Sequence, residues 1–506
     1  MRDAVSRQRR IGRRIGRRIG RRIVCLLAAI AGCLITVTPS AAAGALSTTT
    51  SESFPGPGGG TTVKGVLVRL SIETRTTIAG HVIGSDRISA WIDSGDRRIQ
   101  VPPESVAGVP TGTHVAVTLG PAGTADASAP PRVRALAVLG RSTAGALARA
   151  ARPSSHTVTV VLALPPGARP DTMTASRLTW AISTGAAAFW LRESGGRIVF
   201  SVARAIGWTR LTHDCTDVWG VWDEARSLSG FSPGARRHLM VYVPPGSGCP
   251  NGLSTVAPSP DAGGYLLVGG TSTGLLAHEL GHNLGLGHSD ALTCPGSADA
   301  TFVEKWPPGC THDDYGDWYD VMGISWDNLG TLSTAHASRL GVLEPGSVLS
   351  VTGPARAVLY PVSGRSGLRS LRITDPMGDV YVVEYRAAVG TDAWLGTAAN
   401  WRGLHPGVLV RRIDPEDPTR TLLLDPTPPA PGTTPDWDRA LPVGSSLVTA
   451  SGRITIRVES EAGGAAAVVV SRDGVGPIGV VQPRGRLVNG TQVTIGEAPA
   501  VWAAAR

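Results

Sequence analysis

The chain has 506 residues, with 48 basic and 39 acidic side chains and a formal net charge of +9. That length is too great for one ordinary core and leaves room for two to four domains. Ten Arg and one Asp fall within residues 1–43; the remainder holds 38 basic and 38 acidic residues, so the basic excess gives no argument for a nucleic-acid partner.

Residues 1–43 read as a signal peptide. Arg9 to Ile23 repeats Arg-Arg-Ile-Gly, Val24 to Val37 is an apolar run, and Pro39-Ser40-Ala41-Ala42-Ala43 supplies the small residues of a cleavage site near Ala43. The run is short for an anchor, and no later segment is apolar for long enough to span a bilayer, so no membrane span is expected in the mature chain. Ile30-Ala31-Gly32-Cys33 also fits a lipoprotein processing site that would acylate Cys33 at the cell surface, but the run stays apolar beyond Cys33, and secretion is the preferred expectation. Four cysteines then remain, Cys215, Cys249, Cys294 and Cys310, an even number that in an exported chain predicts two disulfides. Of three connectivities, nearest neighbours (Cys215 with Cys249, Cys294 with Cys310) are expected. No Cys-x-x-Cys spacing favours zinc-binding cysteines.

Residues 44–61, rich in Ser, Thr, Gly and Pro, read as a disordered lead-in. Over 62–140, short Val- and Ile-rich runs (Val63–Ile72, Arg87–Ile92, Val115–Leu119, Val133–Leu139) between Gly, Pro and Asp predict a small β-rich domain, by its position a candidate prodomain. A linker is expected over 141–155. From 156 to 345 the pattern alternates in type. Strands are predicted at His156–Leu164, Arg197–Ala203, His238–Val243 and Tyr265–Val268, with helices over Ala175–Glu193, Trp219–Leu228 and from about Thr273, where Ser272 or Thr273 is the expected N-cap. That order predicts an α/β (α+β) domain with a mixed sheet. Residues 346–475 return to β runs (Val348–Val351, Ala357–Val362, Leu368–Ile373, Val380–Arg386, Gly407–Ile413, Arg453–Glu459) and predict a β-rich C-terminal domain, with 476–506 as a tail.

The chemistry concentrates in His278-Glu279-Leu280-Gly281-His282-Asn283-Leu284-Gly285-Leu286-Gly287-His288. On a helix, positions i and i+4 share a face, so His278 and His282 direct nitrogen at one ion. Gly285 is suited to the left-handed conformation that ends the helix and lets His288 return as third ligand. Three neutral imidazoles leave one place for water, the arrangement of a catalytic zinc (Zn2+) site. Zinc lowers the pKa of its bound water to about 7, and Glu279, one residue along, is placed to act as general base. The expected reaction is hydrolysis of a peptide bond in a protein or peptide substrate. Another amide or ester at the same centre, and a binding protein that merely retains the ion, are the alternatives.

This extended motif resembles that of the metzincin zinc endopeptidases. The resemblance implies a Met-containing turn beneath the zinc, and Asp320-Val321-Met322-Gly323, with Met322 34 residues after His288, fits it. With Leu332-Ser333-Thr334-Ala335-His336, the wording is most similar to the gametolysin-like branch. It implies that Met322 packs under the imidazoles, that Leu332–Leu340 is a helix behind the site, and that a strand near Tyr265–Gly270 lines the cleft and pairs with extended substrate, a buried core strand being the equal alternative there. Ile324 stands where some metzincins carry a tyrosine, so no such role is assigned. No cysteine lies between Gly44 and Asp214, so latency by a prodomain thiol is excluded and another device, a carboxylate or steric cover, is needed.

Asp313, Asp314, Asp317 and Asp320 could hold calcium (Ca2+), but turn capping and backbone bonding are the preferred reading. His312 is read as a loop histidine rather than a fourth ligand. Asn489-Gly490-Thr491 is a glycosylation sequon, meaningful only in a eukaryotic secretory route.

Overall fold

A computed structural model describes residues 54–55, 61–78, 81–120, 130–140, 153–428, 430 and 436–477. The expected signal peptide and Cys33, most of the lead-in and linker, most of the tail and the Asn489 sequon lie outside the described residues.

The fold is mixed α/β, with several sheets and few helices. In chain order the strands are β1 (Phe54–Pro55), β2 (Thr61–Ile78), β3 (His81–Asp93), β4 (Arg98–Val101), β5 (His114–Leu119), β6 (Val133–Gly140), β7 (Ser154–Leu164), β8 (Ile198–Arg210), β9 (Arg237–Tyr242), β10 (Gly252–Val256) and β11 (Gly264–Val268). These eleven form one sheet. There follow β12 (Ser289–Thr293), β13 (Thr311–Asp313), β14 (Val348–Val351), β15 (Ala355–Leu359), β16 (Ser370–Thr374), β17 (Val380–Arg386), β18 (Gly407–Ile413), β19 (Thr421–Leu424), β20 (Ser446–Val448), β21 (Ile454–Ala462) and β22 (Ala465–Arg472). The helices are α1 (Ala175–Ala181), continued through a π turn at Ile182–Ala186 into α2 (Ala187–Glu193), then α3 (Val218–Ser229), α4 (Thr273–Asn283) and α5 (Thr334–Arg339).

In the first sheet β8, β7, β9 and β11 are parallel neighbours, and β10 is added antiparallel to β11. The alternation of a strand directs its side chains to opposite faces. Val158, Val160 and Leu162 of β7 therefore face α1, α2 and α4, while Val161 and Ala163 face α3 with its Trp219 and Trp222. Such strands read as continuous apolar runs because both faces are covered. The sheet continues past β10: β2 pairs antiparallel with it, followed by β3 and β4, and β5 and β6 join β2 farther along.

A seven-stranded sheet, in the order β13-β12-β19-β18-β17-β16-β14, shares one apolar core with the four-stranded sheet β15-β22-β21-β20. β12 begins one residue after His288, so this sheet is tied directly to the end of the histidine motif. The structure joins Cys215 to Cys249 and Cys294 to Cys310. No helix among the described residues is long and apolar enough to cross a membrane.

Candidate metal centre

The centre is built on α4. Ser272 caps it, its side chain accepting from the Leu275 N–H at 3.3 Å. At the other end Leu286 N–H donates to Gly281 O (3.1 Å) and Gly285 N–H to His282 O (2.9 Å), the paired bonds of a Schellman turn. Gly285 has φ +90°, and a Cβ there would lie 3.0 Å from Ala257 O. A side chain is thus opposed by both conformation and space. The turn brings His288 back, so that its Nε2 lies 3.1 Å from Nε2 of His282.

All three histidines are buried. His278 Nδ1 donates to Val321 O (2.7 Å) and His282 Nδ1 to Leu286 O (2.8 Å), which fixes the proton of each neutral ring on Nδ1 and turns a bare Nε2 inward. Burial pulls His282 down to about 4, so it is uncharged at neutral pH. The rings are held from behind: Tyr315 lies on His288 with centroids 4.2 Å apart, and Trp326 stands edge-on to His278 at 5.0 Å. Trp326 Nε1 donates to the same Val321 carbonyl at 3.0 Å.

A fourth ligand-bearing side chain, not found from the sequence, enters from β2. Glu73 is buried, with Oε1 2.6 Å from His278 Nε2 and 3.6 Å from His282 Nε2. Two residues back on the same face, Ser71 Oγ lies 3.0 Å from His288 Nε2. A carboxylate facing a bare imidazole nitrogen sets lone pair against lone pair, and a cation is needed to reconcile them. Glu73, His278, His282 and His288 offer ligand atoms all within 4.8 Å of one another, a nitrogen-rich set that suits zinc.

Glu279 is buried and outside that group. Ser254 Oγ on β10 donates to its Oε2. Opposite stands Gly252, where a Cβ would lie 2.6 Å from Glu73 Oε2 and closer still to Glu279 Oε1. The bare glycine gives both carboxylates room over the edge of β10.

Met322 is buried, with its Sδ against the missing Cβ of Gly281, between His278 and His282 on the helix. Asp320 secures that turn: Oδ1 accepts from Met322 N–H (2.8 Å) and Oδ2 from Ser333 N–H (2.7 Å), at the N-cap of α5. Asp317 accepts from Ser289 Oγ (2.7 Å) and Tyr319 N–H (2.9 Å). These bonds account for Asp317 and Asp320 as turn-forming residues. α5, at Thr334–Arg339, lies within the expected Leu332–Leu340 helix. β11 lies between β9 and β10 as a core strand, and the strand whose residues reach the site is β10, which carries Gly252 and Ser254.

His312 belongs to a second group with Asp290 and Asp414, also close enough to hold a metal ion. A cation of the chain's own already serves it. Arg420 Nη2 lies 2.7 Å from Asp290 Oδ2, which also lies 3.1 Å from His312 Nε2.

Beneath α4 runs a buried chain of neutral rings: Ser154 Oγ to His156 (3.1 Å), His156 Nδ1 to His238 Nε2 (3.0 Å), and His238 Nδ1 to Asn283 Oδ1 (3.1 Å). Burial pulls His156 down to about 4 and His238 to about 3. An unfolded chain takes up these protons near pH 6.5, and the folded one does not until lower pH. Stability is therefore present above about pH 6.5 and lost as pH falls toward 4, by up to about 1.4 kcal/mol per pH unit for each ring. Urea unfolding of the metal-free protein at pH 7, 6 and 5 should give falling midpoints, less steeply in His156→Gln. Parallel slopes for the two proteins would remove His156 from the account.

No family model matches the chain, and no curated protein matches it.

Proposed function

We propose that this protein is a secreted zinc endopeptidase of the metzincin type, most similar to the gametolysin-like branch, with zinc held by His278, His282 and His288 and Glu279 as general base. The observation that carries the reading is the convergence of three buried imidazoles, two with Nε2 bared by their backbone bonds, beside a carboxylate outside the ligand group. Bound zinc would supply a Lewis acid that acidifies water and polarises the substrate carbonyl. Glu279 takes a proton as water attacks and delivers it to the departing amine. Ser254, donating to Oε2, orients that carboxylate. The edge of β10 positions extended substrate by main-chain pairing, as it already pairs with β2. Burial of Met322 against Gly281 and the short helix behind the turn agree with the resemblance. Two disulfides agree with an oxidising compartment.

Metal analysis of the purified chain, with casein as substrate, tests this. The expected outcome is one zinc per chain and cleavage, measured after limited proteolysis has removed the strand β2 that covers β10, that stops on chelation and returns with zinc. A folded, zinc-loaded protein that cleaves nothing in a broad peptide library would move the assignment to the binding alternative.

A further inference from the structure

β2 runs antiparallel to β10 through five residue pairs, from Arg69 opposite Val256 to Glu73 opposite Gly252. It therefore takes up the main-chain edge that an extended peptide would use. Because alternate residues share a face, this register aims Ser71 and Glu73 at the three imidazoles. We infer that Glu73 is an internal inhibitor of the proposed zinc centre. β2 lies in the substrate's place, and the Glu73 carboxylate takes the coordination position that the attacking water needs. The inference rests on the zinc endopeptidase reading and supplies the latency device that the missing prodomain cysteine leaves open.

The chemistry favours this placement. A carboxylate is an ordinary zinc ligand, and here it is already buried among the imidazoles. What β2 presents at the centre is a side-chain carboxylate and a hydroxyl, so no peptide bond is offered for attack.

β2 is also anchored. Arg69 is buried and donates to Val106 O (2.9 Å) and Val109 O (2.6 Å), with Asp417 3.5 Å from its Nε. On its other edge β2 pairs with β3 from Val66 to Ile78, and beyond β10, on the edge it shares with β10, it pairs with β5 from Thr61 to Val66. The inhibitor is thus a sheet strand, and activation means losing β2 from the edge of β10.

Acetohydroxamate, a bidentate zinc ligand, reads the open position without any turnover. Zinc-loaded wild-type full chain and Glu73→Gln should hold the same amount of zinc, with the variant binding hydroxamate about tenfold or more tighter because the competing carboxylate is gone. Casein should stay uncut in this variant while β2 holds the edge of β10, and cleavage should appear once limited proteolysis has removed β2. Equal hydroxamate affinity in the two proteins overturns the inhibitor and leaves the peptidase reading standing. Loss of zinc from both overturns the peptidase reading itself. The cobalt-substituted wild type gives a measurement that needs no variant. Its visible band should be unmoved by micromolar hydroxamate, and a shift there would mean that the position is already open.

Discussion

Glu279→Gln should lower casein cleavage by about 10²- to 10⁴-fold while zinc content and fold stay as they were. The substitution keeps the size of the side chain and an oxygen able to accept from Ser254, but removes the proton-accepting charge. Zinc should be retained because Glu279 is outside the group whose ligand atoms converge. The measurement is best made after limited proteolysis has removed β2, and with it Glu73, from the edge of β10. His282→Ala is the contrasting arm. It removes an Nε2 from that group and should lose zinc and activity together. Ser254→Ala should fall between, since it removes the donor that orients Glu279 and leaves the base itself. If Glu279→Gln cleaved as fast as its parent, the base would have to be sought elsewhere, and Glu73 could not serve because it is removed with β2.

The histidine motif was legible because everything that makes it work is local. Helical spacing, the cap at Ser272 and the left-handed turn at Gly285 all lie within seventeen residues, from Ser272 to His288. Glu73 was not legible. Arg69, Ser71 and Glu73 are the polar alternates of a strand whose Val68, Leu70 and Ile72 are apolar, and such alternates ordinarily mark a solvent face. Here they are buried because β10 accepts the strand and α4 lies beneath. The cue available in the sequence was indirect: with no cysteine between Gly44 and Asp214, any latency was expected to need another device, and a carboxylate was one of the options. β10 itself was missed for a related reason. Gly252-Leu253-Ser254-Thr255-Val256 is short and weakly apolar between prolines, and it is a strand because β2 and β11 flank it. β12 and β19 pair across more than a hundred residues of sequence, beyond what periodicity reports.

Arg411→Ala should destabilise the fold by about 3–5 kcal/mol, a larger effect than most substitutions outside the metal centre. Arg411 on β18 is fully buried, its Nε 2.8 Å from Asp317 and its Nη1 2.6 Å from Glu384. Glu384 on β17 also takes Arg386 at 3.0 Å, and Arg386 takes Asp392 at 2.9 Å. Burial alone would raise Glu384, but Arg411 and Arg386 hold it down to about 2. Removing one guanidinium strands Asp317 in the interior and leaves Glu384 with one cation, which is why breaking such a network costs more than making it gains. The consequence should reach the metal. Asp317 O accepts from Ile324 N–H at 3.1 Å, just past Met322, and Glu384 Oε2 accepts from Thr334 N–H at 2.7 Å, at the start of α5. Weaker zinc binding should therefore accompany the lost stability, although Arg411 touches no histidine of the centre. The double change Arg411→Met with Asp317→Asn removes the stranded charge and should recover part of the loss in urea unfolding. Full wild-type stability in Arg411→Ala alone would mean that water or a moving Arg386 compensates the carboxylates, and the second sheet would then not be the support on which the Met322 turn is built.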